Sequence, residues 1–272
     1  MAKHWGKYQP DNPQPYLLGR GKMEDFIRCE ACFWMNRVKG IKFKGMPGFT
    51  LNARTDELLK IDFDKHRELQ TPHPFMVESD LEDLVPFQHE EFQLWTNALQ
   101  FGLQTHHKET NLIFGGGLDD IWQDTKTKQL HVVEYKSTAT KKTPITLDGV
   151  YKVGYKRQVA MYQWILRQKG FDVSDMTYFV YVNGYTKAQE GFLEGMDWFD
   201  YFYSKGNMEF EITLIKHIGD DSWVEDTLYR IKECLHSEVC PEHAKTGFGY
   251  KGDKQCENAE TFEGMKANNI SL

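Results

Sequence analysis

The chain has 272 residues, 40% of them hydrophobic and 14% aromatic, which is enough for one sizeable core and too apolar for a disordered chain. A formal net charge of −7 counts mildly against a general nucleic-acid binder, whose affinity comes largely from neutralising phosphates. No apolar run is long enough to span a bilayer, and residues 1–15 lack the hydrophobic stretch of a signal peptide, so the expectation is a cytoplasmic protein with no membrane partner.

In chain order, residues 1–21 are rich in Pro and Gly and read as an N-terminal arm. Apolar residues near helical spacing predict a helix over Lys22–Val38 and a second over Thr50–Asp64, the latter with Leu51, Leu58, Leu59 and Phe63 on its apolar side. Pro72, Pro74 and Pro86 then punctuate a long connection. From Asn111 the pattern becomes that of strands: Leu112–Gln123, a turn at Lys126–Gln129, and Leu130–Thr138, read together as an antiparallel hairpin. Tyr155–Gln168 is a helix with Tyr155, Val159, Tyr162 and Leu166 in one stripe. Met176–Val182 and Phe210–His217 are strands, Ser222–His236 is a last helix, and 241–272 is a polar tail. The resulting expectation is an α/β fold with a mixed central β-sheet flanked by helices, in one domain over 22–240.

Three segments carry chemistry: Gly116-Gly117-Leu118-Asp119, Glu134-Tyr135-Lys136, and Gln158 to Tyr162. Side chains alternate along a strand, so Glu134 and Lys136 share a face while Tyr135 points away. Asp119 lies on the hairpin partner, where glycines leave room for a bulge or a ligand. Two carboxylates about 4 Å apart repel by roughly 4 kcal/mol at an effective dielectric near 20, and a divalent cation reverses that sign. With water and the backbone carbonyl of Tyr135, Asp119 and Glu134 form the oxygen-rich shell that Mg²⁺ prefers. Lys136 then orients the attacking water or contacts the scissile phosphate. Gln158 and Tyr162 are four apart and project to one side of their helix. Each fragment taken alone has an ordinary explanation as a surface ion pair, a turn or helix packing. Their order on these elements is specific.

In that order, Gly-x-x-Asp, Glu-x-Lys and Gln-x-x-x-Tyr, the chain resembles the RecB-like branch of the PD-(D/E)XK nuclease superfamily, to which CRISPR-adaptation nucleases and recombination-helicase nuclease domains belong. The resemblance runs from about Lys22 to His236. It implies a restriction-endonuclease-like core and cleavage of DNA with Mg²⁺ or Mn²⁺, and a helicase or defence complex as a possible partner. By motif, Asp119 and Glu134 are metal ligands, Lys136 is the catalytic lysine, and Gln158 and Tyr162 are accessory residues at the DNA. Asp56, on an earlier helix, stands where relatives carry a further metal-binding His or acid. The alternative reading is a catalytically inactive module that keeps the fold and binds nucleic acid.

Some relatives of that branch hold an iron–sulfur cluster between cysteines before and after the nuclease core. Here Cys29 and Cys32 precede it, and Cys234, Cys240 and Cys256 follow. Thiolates from both ends suit an iron–sulfur cluster or zinc. The compact second Cys-x-x-Cys is missing, however, and small buried apolar residues are the favoured reading.

Overall fold

The computed structural model describes residues 3–42, 48–149, 152–184 and 209–244. Its central sheet has five strands in the order β2-β5-β6-β7-β8: β2 Leu84–Pro86, β5 Asp120–Asp124, β6 Leu130–Thr138, β7 Met176–Asn183 and β8 Glu211–Ile218. All neighbours are antiparallel except β6 and β7, which run parallel. A parallel pair needs a crossover, and helix α6 (Val153–Gln168) supplies it. Its residues Gln158 to Leu166 are all buried, as expected of a helix enclosed on every side. The α/β architecture with a mixed central sheet flanked by helices is therefore as expected.

Residues alternate across this sheet into two apolar clusters. Ile121, Val132 and Phe179 face a cluster containing Val159, Ile165, Leu228 and Ile231. Trp122, Val133, Tyr178 and Val180 face the other way, against Phe63 and Met76. The first cluster is closed by α7 (Val224–His236), whose buried positions Val224, Leu228, Ile231 and Leu235 recur at helical spacing. The second lies under α3 (Thr50–Leu69), and two short helices, α4 (Pro74–Glu78) and α5 (Phe92–Trp95), occupy the connection that follows it.

Four expectations about elements change. The single strand over Leu112–Gln123 is two strands in different sheets. Its first half, β4 (Leu112–Gly116), sits between β1 (Tyr16–Gly19) and β3 (Leu103–His107) in a separate three-stranded sheet. The chain leaves that sheet at Gly117, where an added Cβ would lie 2.5 Å from the backbone of Ala98. Leu118 then donates its N–H to Trp95 O at 3.1 Å instead of to a ladder partner, and β5 begins. The segment read as an arm thus contributes β1, whose four residues are all buried.

The helix expected over Lys22–Val38 is also interrupted. α1 (Arg20–Arg28) ends at Cys29, which is extended at φ −163° and ψ 106°, and α2 (Glu30–Trp34) restarts beyond it, continuing as a π-helical turn over Met35–Lys39. Finally, α3 runs five residues past the expected Asp64, to Leu69. The apolar stripe stops at Phe63, but the next buried position on that face is Arg67, which an apolar pattern does not register.

Candidate active site

The β5–β6 hairpin and α3 bring three carboxylates and two ammonium groups together. Asp119, immediately before β5, accepts the Tyr135 backbone N–H at Oδ2 over 2.9 Å, which pins it against β6 between Glu134 and Lys136. Glu134 and Lys136 share a face, as their spacing predicts, and their side chains form an ion pair. Tyr135 turns to the opposite face and donates its hydroxyl to Asp120 at 2.6 Å. On α3, Asp56 pairs with Lys60 at 2.9 Å, and the same ammonium reaches Asp119 Oδ1 at 3.4 Å. Asp56, Asp119, Glu134 and Lys136 are therefore neighbours in one constellation.

The charges feel one another. Glu134 is pushed up to about 8, first by burial and then by the charge of Asp119, against the pull of Lys136 and Arg20. Burial alone would lower Lys136, but Glu134 and Asp119 outweigh it and hold the ammonium above its ordinary value. Asp56 is raised by burial and by Asp119. Lys136 also lies over the Tyr155 ring, 4.9 Å from its centroid.

Helix α6 supports the glycine segment from behind. Tyr162 donates its hydroxyl to Gly117 O at 2.5 Å, and the hydroxyl lies 3.1 Å from where a Cβ on Gly116 would stand. Gln158 lies one turn before Tyr162 on α6 and acts on its hydroxyl electrostatically. Both side chains are buried, and Tyr162 holds the backbone that leads to Asp119. Tyr162→Phe is expected to cost about 1 kcal/mol in urea denaturation, the net value of one buried hydrogen bond; an unchanged midpoint would remove that supporting role.

Two charged neighbours escaped the sequence reading. Lys60 had a local signal, being four residues beyond Asp56 on one helix face. Arg20, at the start of α1, acts electrostatically on Glu134, Lys136 and Tyr162 and had none, since its proximity depends on β1 joining β4. Of the cysteines, Cys29 and Cys32 lie at the start of α2 and Cys234 lies on α7 with Cys240 beyond it, with no disulfide joining them among the described residues; Cys256 falls outside those residues.

The donor set fits a small, hard divalent cation. Glu134 Oε2 is buried without a hydrogen-bond partner, and Asp56 and Asp119 share a single ammonium between them. Carboxylate oxygens left with unmet negative charge are what Mg²⁺ or Mn²⁺ selects, although in the metal-free chain the three acids do not yet draw one oxygen each within 4.8 Å of the others.

Glu134 has a measurable consequence in the metal-free protein. A carboxyl that is raised from 4.5 to about 8 on folding stabilises most below pH 4.5, and that contribution is lost as pH rises through 8. In chelator, the melting temperature of the native chain is therefore expected to decline from about pH 5 to about pH 8 relative to Glu134→Gln, whose amide does not titrate. Parallel profiles would show that Glu134 keeps an ordinary value.

An acid-and-lysine constellation beside the parallel strand pair of a mixed α/β sheet defines the class to which this chain is assigned. The sequence model of the PD-(D/E)XK nuclease superfamily matches residues 52–243, more than half of the chain, and the protein belongs to that superfamily. Its members are typically hydrolytic nucleases and generally use Mg²⁺ or Mn²⁺. The match takes in Asp56, Lys60, Asp119, Glu134, Lys136, Gln158 and Tyr162. No curated protein matches the chain. Among the described residues, no helix is long and apolar enough to cross a membrane.

Proposed function

We propose that this protein is a metal-dependent deoxyribonuclease of the RecB-like branch, acting in the cytoplasm on DNA phosphodiesters. The observation that carries the reading is the meeting of Asp119, Glu134 and Lys136, with an unmet Glu134 oxygen buried among them. Asp119 and Glu134 would hold the cation with the Tyr135 carbonyl, and Asp56 would join them once Lys60 withdraws. When bound, the cation supplies an acidified water and charge stabilisation at the scissile phosphate. Lys136 holds a proton at Nζ beside Glu134, the position from which it orients the attacking oxygen or contacts a phosphate oxygen. Tyr162, with Gln158 one turn before it, acts by fixing the backbone that leads to Asp119, and exposed Lys141 and Lys142, on the loop after β6, give the nucleic-acid strand a basic approach. A helicase or defence complex is the class of partner that suits a nuclease of this kind, whose domain takes in β1 and the start of α1 from the segment read as an arm together with 22–240.

Calorimetric titration with Mn²⁺, followed by incubation with single- and double-stranded DNA, tests the reading. Metal binding together with cleaved product is the expected result; DNA binding without either would identify an inactive module of the same fold. Gln158→Ala is expected to lower cleavage on limiting substrate by about 10-fold, as removing a buried polar group from behind a metal site does. An unchanged rate would confine Gln158 to packing.

A further inference from the structure

A second cluster of donor atoms lies away from the carboxylates, where the break between α1 and α2 meets the chain returning from α7. The extended backbone of Cys29 ends α1, and its carbonyl accepts the Phe33 N–H at 3.0 Å as α2 begins. This places the Cys29 thiol beside that of Cys32, one turn further on. From the other side, Trp34 Nε1 donates to Ser237 O at 2.9 Å and anchors the segment that follows α7. That segment delivers His243, whose Nδ1 lies 3.4 Å from Cys29 Sγ and 3.8 Å from Cys32 Sγ. The three donor atoms lie within 4.8 Å of one another.

We propose that Cys29, Cys32 and His243 bind a Zn²⁺ ion that fastens the N-terminal helices to the end of α7. A single ring nitrogen has one lone pair or one proton, so a hydrogen bond explains one of its sulfur contacts but not both. Ligands arranged about a common centre explain both. With Zn–S near 2.3 Å and Zn–N near 2.0–2.1 Å, a tetrahedral site sets S···N at about 3.5 Å, which the two observed distances bracket.

The donor chemistry selects zinc over an iron–sulfur cluster. Two sulfurs and one imidazole make up three of the four ligands of a structural zinc site, whereas clusters are held mainly by four thiolates. Cys234 and Cys240 are not in the convergent group. Cys234 is instead packed in the core, where burial pushes its thiol up to about 12. Cys29 and Cys32 precede the matched residues 52–243, so the site does not follow from superfamily membership. It ties together residues more than two hundred positions apart, where closing the loop removes the most freedom from the unfolded chain.

The test uses the full chain, purified without a polyhistidine tag, loaded with Zn²⁺, desalted and analysed for metal, and in parallel loaded with Co²⁺ for absorption spectroscopy. The expected result is about one zinc per chain and, with Co²⁺, a thiolate-to-metal charge-transfer band with tetrahedral d–d transitions. Oxygen ligands at the carboxylate site give no such band, so the two sites are distinguished. Cys32→Ser and His243→Ala, checked for native circular dichroism, are expected to lose the zinc and the band. Loss of zinc from the native chain on desalting, iron and sulfide in stoichiometric amounts, or undiminished zinc in both variants would each overturn the proposal. If either variant fails to fold, the cobalt spectrum of the native chain decides alone.

Discussion

Asp119→Ala is expected to lower metal-dependent DNA cleavage by at least about 10²–10³-fold, the loss seen when one preorganised electrostatic group is removed from an active site. The variant should still fold. Asp119 is partly solvent-facing, and its deletion removes two hydrogen bonds, from the Tyr135 N–H and the Lys60 ammonium, together with a repulsion that raises both Glu134 and Asp56. The net change in stability should therefore stay within about 1 kcal/mol. A binding isotherm with Mn²⁺ should show the affinity falling along with the activity, since the oxygen shell has lost a member. Cleavage at the native rate by well-folded Asp119→Ala protein would remove this residue from the site.

The next residue carries the opposite expectation. Asp120→Ala should destabilise the fold by about 3–5 kcal/mol, the cost of leaving a buried charge without its partner. Asp120 is 1% exposed and receives Arg67 Nη2 at 2.6 Å, the Tyr135 hydroxyl at 2.6 Å, Trp122 Nε1 at 3.2 Å and the Ile121 N–H at 2.7 Å. Without it, the Arg67 guanidinium stays in the core over the Phe92 ring, holding only Asp64 and the Phe87 carbonyl. The orphaned arginine is what makes the change costly, beyond the lost bonds themselves. Guanidinium denaturation monitored by tryptophan fluorescence measures the effect, and a shift below about 1 kcal/mol would show that Arg67 finds another partner. Two adjacent aspartates on opposite faces thus divide the work: one serves the site and the other holds α3 to the sheet.

That division marks where the sequence stopped being legible. Period-two alternation placed Glu134 with Lys136 and turned Tyr135 away, as found. The strand Leu130–Thr138 has the bounds the alternation predicts, and α6 and α7 begin within two residues of theirs, because long apolar stripes declare themselves locally. Asp120 gave no such signal. Its importance comes from Arg67, fifty-three positions away, and one buried ion pair leaves no periodic trace. The break at Gly117 was hidden for a related reason: apolar residues resume beyond the glycines at Leu118, Ile121 and Trp122, and the close approach of Ala98 that accompanies the turn comes from another element. Arg20 likewise enters the site through a tertiary arrangement that no spacing encodes.

The central claim is that the lysine on β6 and the two acids beside it form a metal-dependent nuclease site, and cleavage of labelled DNA in Mn²⁺ by the native chain and by Lys136→Ala tests it most directly. The expected result is product from the native chain and a rate lower by about 10²-fold or more from the variant, with both dependent on added metal. No product from the native chain, or full metal-dependent activity in Lys136→Ala, would contradict it.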